Sequence, residues 1–336
     1  MRAISVDYTA RDLRERELAE PGKPGAGEVL FRVLEVGICG TDRDLAAFRF
    51  GYGPDTGEFL VLGHEAVGEV MSVGDGVEGL AAGDLIVPSV RRACAPPCLS
   101  CQRGRRDLCV TGKYTERGIM GAHGYFTELA VDRASDVVRV DSRLRDTAVL
   151  LEPLSVVEKA VALAFRLHQG APRKALVLGA GTVGLLAACV LRLRGLEVDV
   201  VSTEPVDSGR SRLAAAAEAR YLLAADGGAD IVIEAAGARA AADAGMAALA
   251  PLGVLIVLGA FSTTGPVPFM DLIMGNRIVA GSVNSSPESF VQAALDLGRL
   301  PRELTSRLIE RTGIGEYRRT LAGPPLHVPK VVHMMD

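Results

Sequence analysis

Val177-Leu178-Gly179-Ala180-Gly181-Thr182-Val183-Gly184 decides the fold. A short apolar run, Ala175 to Leu178, stops at Gly179; a second, Val183 to Leu193, follows at once and ends at Gly195. The glycines are spaced G-x-G-x-x-G, which predicts strand, tight turn and helix. Gly179 makes the turn, Gly181 leaves no Cβ between backbone and a pyrophosphate, and Gly184 lets helix and strand pack. The helix N-terminus, at Thr182 and Val183, offers unpaired N–H groups and positive potential to a diphosphate. Glu204 stands 20 residues after Gly184, where an acid would read the ribose hydroxyls.

Outward from this turn, strands and helices alternate from Arg173 to Val283. Strands are expected at Ala175–Leu178, Val198–Ser202, Tyr221–Ala224, Ile231–Glu234, Val254–Leu258 and Ile278–Ala280. That alternation implies a parallel, doubly wound sheet with right-handed crossovers. The link around Ala225-Asp226-Gly227-Gly228 is short for a crossover, so one helix is expected to be missing. Upstream the chain reads as β-rich. Met1 to Asp7 is one strand, and Glu28 to Val36 another, with Val29, Phe31 and Val33 on one face. Val67 to Val90 reads as short strands, and Phe126 to Val131 as one more. A helix is expected from about Leu154 to Leu167. The tail adds a helix, Ser289 to Leu297, and a strand-like run, Val328 to His333, that returns to the first domain.

The chain has 336 residues, 49% of them hydrophobic and 23% charged, enough for two domains with sizeable cores. A net charge of −4 argues against nucleic acid or an anionic membrane as partner. No leader or spanning run is evident, which suggests a cytoplasmic protein. Four of the six cysteines, Cys94, Cys98, Cys101 and Cys109, fall within 16 residues. Thiolates this close suit a closed tetrahedral structural zinc. Cys39, His64 and Glu65 offer a thiolate, an imidazole and a carboxylate in loops beside glycines, a set suited to a catalytic zinc with one position open. The alternative for these three is a buried cysteine and a loop histidine with ordinary hydrogen bonds. Glu152 sits in an apolar setting before Pro153; either it meets a metal, or it is the acid favoured at a helix N-terminus.

Taken together, Gly-Ile-Cys39-Gly-Thr-Asp, Gly-His64-Glu65, the four-cysteine lobe and the later glycine motif resemble the zinc-containing medium-chain alcohol dehydrogenases. A narrower likeness, to the glucose dehydrogenases of that superfamily, rests on Tyr114-Thr-Glu-Arg-Gly-Ile119, Gly121-Ala-His-Gly-Tyr125, Leu151-Glu-Pro-Leu-Ser155, Glu158-Lys159-Ala160 and Gly281-Ser-Val-Asn284. The resemblance implies an α/β two-domain fold. Residues 1–153 would form a GroES-like catalytic domain with a zinc lobe at about 90–112, completed by about 287–336. Residues 154–286 would form a Rossmann domain. It further implies that Cys39, His64 and Glu152 or Glu65 serve the catalytic zinc, and that Glu116, His123, Glu152 and Asn284 meet sugar hydroxyls or cofactor. Two departures stand out: Cys94 and Cys98 are separated by three residues where relatives have two, and Val156 replaces an acid found near the metal in some relatives.

The expected reaction is hydride transfer from C1 of an aldose to NAD or NADP, giving the lactone; Thr41 either relays the proton through its hydroxyl or makes a simple turn hydrogen bond. Glu204 favours NAD; Ser202, Thr203, Arg210 and Arg212 offer a cradle for a 2′-phosphate, so the preference is slight. Rival expectations are a polyol, L-threonine or secondary-alcohol dehydrogenase, a zinc-free quinone reductase, and a catalytically silent NAD-binding sensor. A homodimer or homotetramer is expected, pairing through an apolar edge strand near Ile278 to Val283.

Overall fold

The computed structural model describes residues 1–54, 57–260, 265–323 and 328–335. It divides into two compact units. The expected closing segment at 287–336 therefore includes residues 324–327 and 336 that lie outside the described ones.

The first unit holds Met1–Glu152, Ser286–Gly298 and Ile309–Asp336. Its chain runs β1 (Arg2–Asp7), β2 (Asp12–Glu17), β3 (Glu28–Ile38), α1 (Gly40–Ala46), β4 (Phe59–Val61), β5 (Glu65–Val73), β6 (Leu85–Pro88), α2 (Leu99–Gln102), β7 (Glu116–Arg117), β8 (Gly121–Ala122), β9 (Leu129–Arg133) and β10 (Val137–Val140). In β3 the alternation of Val29, Phe31 and Val33 buries one face. Past a register shift between Val33 and Glu35 the strand stays buried to Ile38. Phe31, Val33 and Val36 join Ile4, Val6, Leu60, Leu62, Tyr125 and Phe126 in one core.

Strand β9 begins at Leu129 rather than the expected Phe126, because Phe126 and Thr127 are taken up by separate pairings with β1. The stretch at Gly40, expected as loop, is a short helix. Cys39 caps it and Asp42 lies in its first turn.

The second unit holds Pro153–Ser285 and Arg299–Leu308. α3 (Leu151–Leu167) leads to β11 (Lys174–Leu178), α4 (Thr182–Leu193), β12 (Glu197–Val201), α5 (Gly209–Ala216), β13 (Arg220–Leu222), β14 (Ala229–Glu234), α6 (Arg239–Ala248), β15 (Leu249–Val257), α7 (Phe269–Gly275) and β16 (Ile278–Gly281). These strands form one six-stranded sheet ordered β13-β12-β11-β14-β15-β16, every pairing parallel. The order reverses between β11 and β14, the switch point where such sheets take a ligand. No helix joins β13 to β14, so the short glycine-rich link does omit one.

The chain then adds α8 (Pro287–Leu297), α9 (Arg302–Leu308), β17 (Ile309–Gly313), α10 (Tyr317–Ala322) and β18 (Lys330–Met334). β18 pairs antiparallel with β3 and parallel with β17, so the tail strand joins the sheet β10-β6-β5-β3-β18-β17. Arg299–Leu308, expected with the first unit, groups with the second, where α9 packs on α5.

Candidate functional site

Cys39 follows the last residue of β3, and its extended backbone makes it the N-cap of α1. Its Sγ accepts the Thr41 N–H at 3.2 Å, while its own N–H donates to Asp42 Oδ2 at 2.9 Å. The sulfur that caps the helix is thus also the candidate metal ligand. His64 precedes β5, and its Nε2 lies 3.1 Å from Cys39 Sγ. Its other ring nitrogen, Nδ1, is 3.1 Å from Asp42 Oδ1. A carboxylate behind the imidazole is the usual arrangement for a metal-binding histidine: it keeps the hydrogen on Nδ1 and turns Nε2 to the ion. Burial works against charging His64, yet the charges of Asp42 and Cys39 win and raise its pKa well above the ordinary value.

The ligand atoms of Cys39, His64 and Glu65 lie within 4.8 Å of one another. Glu65 is the first residue of β5, buried, and ion-paired with buried Lys330 from β18. Glu152, in the first turn of α3, is buried as well. Burial, then the charge of Glu65, pushes its carboxyl up to about 8. A buried pocket with a thiolate, an imidazole and this surplus of acid fits a zinc ion, which would supply the missing positive charge.

The four-cysteine lobe fits zinc too. Cys94 and Cys101 sulfurs are 3.7 Å apart, Cys98 and Cys109 3.9 Å. A tetrahedron with Zn–S bonds of about 2.3 Å has edges of roughly 3.8 Å. The three-residue spacing, which includes a cis Ala95–Pro96 bond, still brings Cys98 N–H to Cys94 Sγ at 3.1 Å. Backbone N–H groups of Cys101 and Val110 lower the Cys98 thiol to about 6.

Glu116 is buried in β7, where Arg91 Nε donates to its Oε1 at 2.9 Å. Arg91 in turn lies 3.8 Å from the centre of the Tyr114 ring. His123 Nδ1 accepts the Val61 N–H at 3.2 Å, which leaves the ring hydrogen on Nε2, and the ring stacks on Phe59. Asn284 belongs to the second unit, with a left-handed backbone (φ +62). Its Oδ1 accepts the Ser285 N–H at 2.8 Å.

In the second unit, Gly179 takes φ +107 directly after β11, and Gly181 is the N-cap of α4. Thr182, Val183 and Gly184 form the first turn. A Cβ at Gly184 would stand 1.9 Å from Gly179 O, whereas one at Gly181 would meet nothing within 4 Å. Gly184 thus serves packing, and Gly181 keeps a space clear beside the helix N-terminus. Glu204 Oε1 accepts Arg210 Nε at 2.6 Å, and Arg210 also donates to Ala180 O at 2.6 Å.

Three residues escaped the sequence reading. Asp42 carried a signal, an acid three residues after an N-cap position. Lys330 did too: a lysine inside the apolar run Val328 to His333 is buried only if paired. Glu234, at the end of β14, accepts the N–H groups of Ala236 at 2.9 Å and Gly237 at 2.8 Å through Oε1, and that of Gly259 at 3.2 Å through Oε2. It ties together the loops after β14 and β15, and Ala236 lies against Gly179.

Residues 25–142 match the alcohol dehydrogenase GroES-like domain, and residues 145–322 match the glucose dehydrogenase C-terminus. The chain is 45% identical to glucose 1-dehydrogenase of Thermoproteus tenax over 311 residues, 88% of each chain. It is 38% identical to glucose 1-dehydrogenase 2 of Vulcanisaeta moutnovskia over 336 residues, 95% of this chain and 94% of that one. Among solved structures it resembles Haloferax mediterranei glucose dehydrogenase in complex with NADP, Zn and gluconolactone. The TM-score is 0.90 at 29% identity, covering 100% of this chain and 99% of that one.

Proposed function

This chain belongs to the glucose dehydrogenase branch of the zinc-containing medium-chain alcohol dehydrogenases, and from that premise we infer that it oxidises an aldose, glucose or a close relative, at C1 to the lactone with NAD(P). The observation that carries the reading is the meeting of Cys39, His64 and Glu65 in one buried cluster of the GroES-like unit. The four-thiolate lobe holds a second, structural zinc.

When bound, zinc would supply Lewis acidity toward the C1 oxygen and the cofactor a hydride acceptor. The protein's part is to hold and orient. Cys39 and His64 are ligands, with Asp42 fixing the tautomer of His64; Glu152 or Glu65 completes the set. Thr41 Oγ1 is assigned the C1 hydroxyl proton, its residue being anchored through its N–H on Cys39 Sγ. Glu116 and Glu152 accept from sugar hydroxyls, and His123 donates from Nε2. Arg91 fixes the Glu116 carboxylate, so a sugar hydroxyl must come to it in a set direction, which discriminates among sugars. Gly179, Gly181, Thr182, Val183 and Gly184 bind the diphosphate, with Asn284 beside the cofactor. Glu204 reads the ribose and gives NAD a slight preference over NADP, since its partner Arg210 is already committed to it and to Ala180 O.

Zinc analysis together with initial rates on glucose, galactose, xylose and sorbitol, each with both cofactors, tests the reading. About two zinc ions per chain and a clear preference for an aldose are expected. A sorbitol or secondary-alcohol preference would reassign the substrate, and cofactor binding without turnover on any of them would turn the chain into a sensor.

No helix among the described residues is long and apolar enough to cross a membrane. A cytoplasmic location is inferred from the thiol-rich metal lobe, which a reducing compartment preserves. A second copy of this chain is the inferred partner. β16 is an edge strand, and Val279 on it, with Phe269, Met270, Ile273 and Met274 on neighbouring α7, are exposed apolar side chains. Sedimentation of Ile273→Glu at a smaller mass than the wild type checks this; an unchanged mass removes it.

A further inference from the structure

Arg91 is 5% exposed, and an arginine this deep must find acceptors for its N–H groups. It finds them in two places. Nε donates to Glu116 Oε1 at 2.9 Å, and Nη1 donates to the carbonyl of Asp107 at 3.3 Å. The guanidinium lies 3.8 Å from the centre of the Tyr114 ring, which helps to hold it in place. The backbone is tied in as well. Arg91 and Glu116 form an antiparallel bridge, and Arg106 Nη1 donates to Arg91 O at 3.3 Å.

Asp107 belongs to the four-cysteine lobe, in the short 3-10 helix Arg106–Leu108. Cys109 caps that turn, its N–H donating to Arg106 O at 3.2 Å. The turn that presents the last thiol of the lobe therefore also presents the carbonyl that holds Arg91. A single planar cation, with its donors in a fixed fork, spans the lobe at one end and Glu116 at the other. A shift of the turn drags the guanidinium off the carboxylate, and a carboxylate held still keeps the turn still. We propose that Arg91 is a positioning residue that couples the four-cysteine lobe to sugar recognition: a closed lobe aims Glu116, and a bound sugar in turn steadies the lobe. The second half follows from the first, because coupling between two sites is reciprocal. This rests on the reading of Glu116 as an acceptor for a sugar hydroxyl.

The test is alkylation of the lobe thiols by iodoacetamide in the presence of a chelator, followed peptide by peptide by mass spectrometry. Zinc-loaded protein carries saturating reduced cofactor in both arms, so that nothing turns over. One arm also carries the aldose of lowest KM among glucose, galactose and xylose. In the wild type the sugar should slow labelling of Cys94, Cys98, Cys101 and Cys109 about fivefold or more. Arg91→Met should keep about two zinc ions per chain and raise KM for the sugar about tenfold, with kcat within about threefold. At saturating sugar its lobe thiols should be no better protected than without it. Should Arg91→Met not fold, Arg91→Lys, which gives up the planar fork, loses most of the protection instead. Wild-type labelling that ignores the sugar overturns the proposal, and so does full protection in whichever Arg91 variant folds. A wild-type sugar KM in Glu116→Gln, or no oxidation of any aldose, overturns the sugar reading and this proposal with it. A raised KM in Glu116→Gln beside unprotected wild-type thiols strikes the coupling alone.

Discussion

His64 Nδ1 and Asp42 Oδ1 stand 3.1 Å apart, in a pocket where both side chains are buried. The same aspartate accepts the Cys39 N–H through its other oxygen. One carboxylate therefore faces the imidazole and also sets the cap that carries the thiol.

Asp42→Asn keeps the shape and one acceptor but removes the charge behind His64. Zinc affinity at the catalytic centre should fall by about 10- to 100-fold, with kcat/KM following. Titration of metal-free protein with zinc measures it. Wild-type affinity would show that Asp42 acts on the helix cap alone.

Gly181 and Gly184 separate binding from folding. Gly181→Ala meets no atom within 4 Å, so the melting temperature should hold while KM for the cofactor rises roughly tenfold or more, because the added methyl stands where the backbone must approach a diphosphate. Gly184→Ala meets Gly179 O at 1.9 Å and should cost about 2 kcal/mol or more in stability before any effect on binding. Calorimetry beside cofactor kinetics tells the two apart; equal losses of stability would refute the division.

Much of this was readable in advance. The glycine spacing and the apolar runs around it specify a parallel sheet, because each element there has the period its neighbours need. Cys39, His64 and the four clustered cysteines could be named in advance as candidate ligands, and the structure brings the members of each set together. What escaped was cross-strand. No spacing says that Lys330 lies near Ile38, because that contact spans 292 residues. Nor does any local pattern reveal that Arg91 will hold Glu116. The helix at Gly40 escaped for a different reason: cysteine is a rare N-cap, and its seven residues are too few for an apolar stripe.

Glu204 and Arg210 make the cofactor choice testable. Removing the acid by Glu204→Ala takes away a ribose acceptor and frees the guanidinium for a 2′-phosphate. The ratio of kcat/KM for NADP to that for NAD should rise by about tenfold or more. If it stays where it was, the choice is made by other residues.

His333 introduces a pH dependence. Burial holds its imidazole below the ordinary value, and its neutral ring sits between Thr320 Oγ1 at 2.8 Å and Gly313 O at 2.9 Å. The unfolded chain therefore binds this proton more readily than the folded one. The contribution is intact above the unfolded value of about 6.5 and is lost as pH falls through the window below it. In denaturant unfolding from about pH 7.5 to 5.5, the wild type should lose stability relative to His333→Gln, a difference that sets aside the groups titrating in both proteins. An unaltered slope would assign the loss to other groups.

Because β18 closes on β3, the second unit's entire sequence is threaded between two halves of one sheet. At a synthesis rate of about 5–20 residues per second, the 292 residues between Ile38 and Lys330 take roughly 15–60 s to emerge. Only near the end of that interval has the second unit been made through Leu308, and until then the Glu35–Ile38 part of β3 waits with an open edge, a template for wrong partners. Stalled nascent chains ending before Lys330 should resist protease across Pro153–Ser285 and remain cleavable around Cys39; equal protection of both would mean the sheet closes without its last strand.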